Sequence, residues 1–327
     1  MTGSEPDIAI IIPVRNDAAR LRLCLDAIAQ NGNAERRRIV VADNGSVDGS
    51  GHVAASNGAT VLALPRYRVG ELRNIAAAAT SSPLIAFVDA DHLIDAGWLQ
   101  AALRLFQDQQ IAAAGAPYSP PPTANWVQRA YNRFRPPLHR AEPAEWLGSG
   151  NLIVRREAFE GVGGFDASLE SCEDVDLCNR LRGAGCRLVA DPRLRSVHLG
   201  DPATLRALFL GELWRGRDNI KVTLRGPLTL RAIPSLVIPI IDLGAFVVLA
   251  TSGWTGWTLG LAAAGTFAML AALRAVKMSL GRASLTAGEL AANVIVATVY
   301  DAARALSLVV RATHRTRREV AGERAVA

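Results

Sequence analysis

At 327 residues the chain can hold one large domain or two ordinary ones, so a buried core is assured. Half of its residues are hydrophobic, 20% are charged and 6% are aromatic, with a mean hydropathy of +0.18; this excludes intrinsic disorder and is high for a purely soluble enzyme. The net charge of +6 rests on arginine, since Lys221 and Lys277 are the only lysines, and it suits nucleic acid, anionic lipid or a phosphorylated substrate according to where it falls.

Near the N-terminus the apolar run Ile8 to Pro13 is short and follows no basic segment, so no signal peptide is expected and the first part should remain cytoplasmic. Ile8 to Ile12 predicts a buried strand, and Asp17 to Gln30 an amphipathic helix with Leu21, Leu25 and Ile28 on one face. Further strands are expected at Arg38 to Ala42, Thr60 to Leu64 and Leu84 to Val88, with helices at Asp48 to Asn57 and Gly70 to Thr80. Apolar strands alternating with helices predict an α/β fold with a mostly parallel, Rossmann-like sheet covered on both faces. Such sheets bind ligands at the carboxyl ends of their strands, where Pro13 to Asp17, Asp43 to Ser46 and Asp89 to His92 lie.

Prolines 120 to 122 and 136 to 137 then frame a basic, aromatic segment, Asn125 to Arg135, that reads either as a helix on a binding loop or as a solvated surface helix. Glu173 to Gly183 and Thr204 to Leu224 should be helical. Cys24, Cys172, Cys178 and Cys186 have neither CxxC nor zinc-finger spacing, so reduced thiols are expected.

Several residues could carry chemistry. Asp89 and Asp91 sit one residue apart at a strand end; in an extended segment both carboxylates reach the same side and suit a hard divalent ion such as Mg²⁺ or Mn²⁺. Asp43 could accept hydrogen bonds from a base or ribose, while the nearby Asp48 has the simpler reading of a helix cap. Arg73 could hold a diphosphate with its planar fork, or pair with a surface acid such as Glu71. Glu173 and Asp174 at a helix start are either dipole-stabilised acids or a general base.

Pro13 to Asp17, Asp43 to Ser46, Gly70 to Asn74, Asp89 to Asp91, Gly148 to Asn151, Gly163 to Asp166 and Glu173-Asp174 follow one another in the order and spacing of family 2 inverting glycosyltransferases, which residues 7 to 200 resemble. The resemblance implies a GT-A fold, a nucleotide-sugar donor and a divalent metal. By position it implies that Pro13 and Arg15 line the nucleotide pocket, Asp43 contacts the base, Arg73 faces the diphosphate, and Asp89 meets ribose or sugar. Asp91 would hold the metal, with Asp89 and His198 as further ligands. Asp174 would be the base, with Glu173 supporting it or contacting the acceptor, and Gly148 to Asn151, Gly150 and Asn151 included, would floor the donor-sugar and acceptor site. Trp214 to Asp218 departs from the Gln-x-x-Arg-Trp motif of processive synthases, which argues against processive synthesis.

Asp242 is the only charged residue between Ala232 and Leu273, and the stretch predicts two membrane helices at about 233 to 251 and 254 to 273, turning at Thr251 to Gly253. The competing reading is a pair of soluble core helices. A third helix, 287 to 311, carries a polar stripe of Glu289, Asn293, Asp301, Arg304 and Arg311, expected to lie at the membrane interface or to be hidden in a homo-oligomer, with a third membrane crossing as the alternative. The expected organisation is a catalytic domain over residues 1 to 228 with a loop at 117 to 147, membrane-associated helices over 229 to 311, and a basic tail over 312 to 327. The expected activity is sugar transfer to a glycan or lipid-linked acceptor at the cytoplasmic membrane, in contact with lipid and without nucleic acid. A nucleotidyltransferase and a non-catalytic nucleotide-sugar-binding scaffold are the alternatives.

Overall fold

The computed structural model describes residues 7–310 except 228, 231 and 283; Arg231, Arg311 and the arginines of the tail lie outside the described residues. The chain divides into two compact units, one of residues 1–121 and 138–200 and one of residues 122–137 and 201–327. The helices that follow Asp201 thus join the second unit, ahead of the boundary expected near residue 228, and the proline-framed segment joins it too.

The first unit runs β1 (Ile8–Val14), α1 (Ala18–Ala29), β2 (Arg37–Asp43), α2 (Ser50–Ser56), β3 (Thr60–Ala63), α3 (Val69–Ala78), β4 (Leu84–Val88), β5 (His92–Ile94), α4 (Trp98–Leu105) and β6 (Ile111–Gly115). After α5 (Trp126–Asn132), which belongs to the second unit, come β7 (Glu142–Pro143), β8 (Asn151–Arg155), α6 (Arg156–Gly161), α7 (Glu173–Gly183), β9 (Arg187–Ala190) and β10 (Ser196–His198). Eight strands form a sheet in the order β3-β2-β1-β4-β8-β6-β9-β7, and β10 pairs with β5 in a separate ribbon. The four strands expected from the sequence are parallel; β8 enters between β4 and β6 antiparallel to both, so the sheet is mixed beyond β4.

The period-two alternation of β1 splits its isoleucines between the two faces. Ile8, Ile10 and Ile12 pack with Leu21, Cys24, Leu25 and Ile28 of α1 and with Trp98 and Leu99 of α4. Ile11 faces the other way, into a cluster with Leu72 and Ala76 of α3 and Leu177 and Leu181 of α7. Both faces are therefore covered, and the strand ends of β1, β2 and β4 are left to carry polar groups.

The second unit contains α5, α8 (Leu205–Arg215), α9 (Asn219–Arg225), α10 (Ile233–Thr255), α11 (Trp257–Ser279) and α12 (Ala287–Leu306). The single helix expected over 204 to 224 is broken at Gly216 to Asp218, and the turn between the apolar helices falls at Gly256, with φ +103°, rather than at Thr251 to Gly253. Ile233–Trp254 and Trp257–Ser279 are long and apolar enough to cross a membrane. Neither is buried like a core helix, because Val247, Leu261 and Met269 among others face outward. The described polar residues of α12 find partners within this unit. Asn293 and Asp301 are buried, Arg133 holds Glu289 and Asn293, Arg274 holds Asp301 at 2.6 Å, and Arg304 lies 3.1 Å from Glu212.

Candidate active site

The loops leaving β1 and β2 are laced together by hydrogen bonds. Asn16, with φ +51°, donates its N–H to Ser46 Oγ at 2.9 Å and accepts from Val47 N–H at 2.8 Å, while Asp48 accepts from Ala18 N–H at 2.9 Å. Asn and Asp tolerate or stabilise such left-handed and turn conformations through their short polar side chains. Asp43, half-buried at the end of β2, accepts from Ser46 N–H at 2.8 Å, and Arg15 is exposed on the neighbouring loop. Pro13, Arg15 and Asp43 are thereby brought to one end of the sheet, since β1 and β2 are parallel with Pro13 opposite Ala42.

Strand β4 ends at Val88, and the chain then turns, with His92 N–H donating to Asp89 C=O at 2.9 Å. The turn removes the extended geometry expected of Asp89-Ala-Asp91 and separates the two carboxylates. Asp89 meets Arg73 at 2.6 Å, whereas Asp91 lies 3.3 Å from His198 Nε2 and 3.8 Å from Arg20. Arg73 does not face outward toward a diphosphate. It is 2% exposed, and its second arm bonds Glu173 at 2.8 Å, with the Phe165 ring 5.4 Å from the guanidinium carbon. Both carboxylates favour its charge against the cost of burial.

Asp91 is joined by His92, which is not among the ligands the resemblance implies. The ribbon register sets His92 of β5 opposite His198 of β10, with ring centroids 4.6 Å apart, and Tyr118 packs edge-on against both at 4.8 Å. Asp91, His92 and His198 present ligand atoms within 4.8 Å of one another. Burial opposes ionisation of Asp91, but His198, His92 and Arg20 outweigh it and hold the carboxyl well below the usual range. Space around the cluster is kept by glycine: a Cβ on Gly200 would lie 2.0 Å from Asp91 Oδ2, and one on Gly150 would lie 2.7 Å from His92 Nε2. One carboxylate oxygen and two imidazoles, with a cradle kept open by glycine, could hold a divalent cation. His92 Nδ1 lies 3.0 Å from Ser196 Oγ, the kind of outer contact that fixes which ring nitrogen faces a metal. Asp89 is not one of these three, but its Oδ2 lies 3.0 Å from the same point, where a Cβ on Gly150 would meet His92 Nε2.

The Gly148 to Asn151 segment joins this cluster to the second acidic centre. Gly150 C=O accepts from Asp89 N–H at 3.1 Å, and Ser149 N–H donates to Asp174 Oδ2 at 3.3 Å. Asp174, half-buried at the start of α7, also accepts from Val175 N–H at 2.8 Å. Removal from water, reinforced by the Glu173 charge, pushes its carboxyl up to about 7, against the backbone donors and Arg73. Gly148 is flanked by Trp146 and Tyr118, each 3.7 Å from where a Cβ would be, with Asp174 Oδ2 at 3.9 Å. Asn151 has a different task from the sugar contact expected. Buried, it accepts from Trp98 Nε1 at 3.0 Å and donates to Leu194 C=O at 2.6 Å and Ser196 Oγ at 3.2 Å, so its amide fastens β8 to α4 and the ribbon.

A mostly parallel sheet with these groups at its strand ends has the GT-A fold. Residues 9–163 match the family model described as "Glycosyl transferase family 2". The chain is 32% identical over 209 residues to the pre-mycofactocin glycosyltransferase of Mycobacterium tuberculosis H37Rv, and 25% identical over 252 residues to the glycosyltransferase AglE of Haloferax volcanii. These alignments cover 60% and 73% of this chain and 43% and 81% of those proteins, so the chain spans less than half the length of the mycobacterial relative. Mannosyltransferase PcManGT from Pyrobaculum calidifontis, solved with GDP-Man and Mn²⁺, shares the fold with a TM-score of 0.65 at 18% identity, over 93% of this chain and 88% of that one.

Proposed function

We propose that the chain is an inverting, membrane-associated glycosyltransferase that moves a sugar from a nucleotide-sugar to a hydroxyl of a membrane-proximal or lipid-linked acceptor. The observation that carries the reading is the Gly148 to Gly150 segment, which touches the Asp91, His92 and His198 cluster on one side and Asp174 on the other. The GDP-Man and Mn²⁺ bound by PcManGT agree with the donor class and with a metal at the cluster. When bound there, a divalent ion would offset charge on the leaving diphosphate.

Asp43 and Arg15 receive the nucleoside end of the donor, beside the backbone of Pro13. Asp174, ionised near neutral pH, accepts the proton of the acceptor hydroxyl; the oxygen attacks the anomeric carbon as its bond to the diphosphate breaks, and the nucleoside diphosphate leaves. One displacement inverts the anomeric centre. Arg73 acts behind this chemistry by holding Asp89 and Glu173, and Trp146 and Tyr118 wall the acceptor side. The two apolar helices support insertion in the cytoplasmic membrane, with the catalytic domain on its cytoplasmic side as the flanking arginines favour.

Detergent-purified full chain incubated with UDP-, GDP- and dTDP-sugars and Mn²⁺ should transfer or hydrolyse at least one, releasing nucleoside diphosphate and giving a product of inverted configuration by NMR. Asp91→Ala and Asp174→Asn should each lower the rate about 10²- to 10⁴-fold. Full activity in both variants would remove the site assignment, and pyrophosphate as the product would make the protein a nucleotidyltransferase.

A further inference from the structure

In the second unit a cavity of about 300 Å³ opens between α5 and the start of α12. Its walls include Trp126, Arg129, Arg133, Thr286 and Glu289, with the backbone of Gly288. It takes no part in the chemistry proposed above. The segment that supplies Trp126 and both arginines is the proline-framed, basic and aromatic stretch noted in the sequence.

The charges here do not cancel. Glu289 is already fully engaged: Oε2 accepts from Thr286 N–H at 2.9 Å and from its hydroxyl at 3.0 Å, and Oε1 pairs with Arg133. Arg133 also donates to Asn293 Oδ1 at 2.9 Å, which fixes its fork in place. Arg129 uses Nε on Ala124 C=O at 2.7 Å, is exposed, and meets no carboxylate among the described residues. Arg282, beyond the end of α11, is close enough to Arg133 and Glu289 for their charges to act on it. Two guanidinium groups thus line the cavity against one carboxylate.

The place in the fold selects the ligand. The second apolar helix ends at Ser279 and α12 begins at Ala287, so the cavity lies where that helix would leave a bilayer. Trp126, 49% exposed, offers an indole of the kind that settles at the head-group level. A planar guanidinium fork matches phosphate oxygens, and basic pockets beside membrane helices bind anionic head groups. We propose that this cavity is a binding site for the phosphodiester head group of an anionic membrane phospholipid, a reading that rests on the membrane insertion proposed above.

The test uses the full chain purified in detergent and examined by native mass spectrometry with phosphatidylglycerol, phosphatidylcholine and inorganic phosphate as probes. Wild-type protein should retain phosphatidylglycerol in preference to phosphatidylcholine, and Trp126→Ala/Arg129→Gln, which alters two exposed side chains, should lower that retention roughly five- to tenfold. Equal retention of the two lipids, or a preference unchanged in the double variant, would overturn the site. Displacement of phosphatidylglycerol by millimolar inorganic phosphate would reassign it to free phosphate. The membrane reading fails separately, if the protein stays monodisperse without detergent; a protein that needs detergent yet shows no lipid preference refutes the head-group site alone.

Discussion

One guanidinium, that of Arg73, ties Asp89 on the β4 exit to Glu173 on α7, and its burial makes the arrangement sensitive to loss. Deleting one partner of a buried ion group leaves charge without compensation, so Arg73→Met should cost roughly 3 to 5 kcal/mol in denaturant unfolding, and Arg73→Lys, which cannot fork to both acids, should recover only part of it. An outward-facing, diphosphate-binding arginine would instead lose activity with little change in stability. Asp174 governs pH dependence. Because its carboxyl is raised to about 7, it is protonated below that pH and cannot take the acceptor's proton; kcat/KM should fall about tenfold per unit on the acid side. Glu173→Gln removes the like charge but not the burial, so the acid limb should move to lower pH without reaching that of a free carboxylate. A profile flat between pH 5 and 8 would exclude Asp174 as the base. Its candidacy comes from the family motif that Glu173-Asp174 resembles, since a helix start alone fits dipole-stabilised acids equally well, whereas no local pattern gives the direction taken by Arg73, whose buried partner Glu173 lies a hundred residues further along the chain.

Among the elements, the short ribbon of β5 and β10 does most to shape the metal-capable cluster. The alternation of apolar strands and helices made β1 to β4 readable to within two residues at either end, because period and run length are local properties. The ribbon is only three residues on each side, and its pairing joins segments about a hundred residues apart, so no local pattern announces it. Local pattern therefore offers His198 as a lone candidate and Asp89-Ala-Asp91 as an extended pair, and leaves His92 unmarked. The same holds for α12: its polar stripe is plain in the sequence, but the partners Arg133, Arg274 and Glu212 come from the end of α5, from α11 and from α8. The ribbon yields a sharp expectation. Gly200→Ala drives a methyl into Asp91 and toward His198, so Mn²⁺ affinity measured by calorimetry should fall at least tenfold, and Ser196→Ala, which frees His92 Nδ1, should cost about 10- to 100-fold. Unchanged Mn²⁺ binding in both variants would show that any bound ion sits elsewhere.

At the level of the whole molecule, the apolar surplus noted in the composition is concentrated in α10 and α11, where it stays on the surface of the chain instead of enlarging a core. Val247 is 57% exposed and Met269 56% exposed, near the middle of their helices. Such residues discriminate between environments. Exposed to water, a long charged side chain replaces an outward-facing apolar one at a cost within about 0.5 kcal/mol, and the protein keeps its behaviour. At the centre of a bilayer the same change costs about 2.5 to 3.5 kcal/mol per arginine on the insertion scale. Wild-type protein should therefore remain with membranes through an alkaline carbonate wash, and Val247→Arg/Met269→Arg should release a large fraction or fail to insert. A matched pair of substitutions at exposed sheet-domain positions, Leu23→Arg and Val47→Arg, should leave partition unchanged, because those side chains are exposed in the first unit. Release of the wild-type protein by the wash, or indifference to arginine at 247 and 269, would return α10 and α11 to the status of apolar helices in water and would take the proposed lipid-linked acceptor with them.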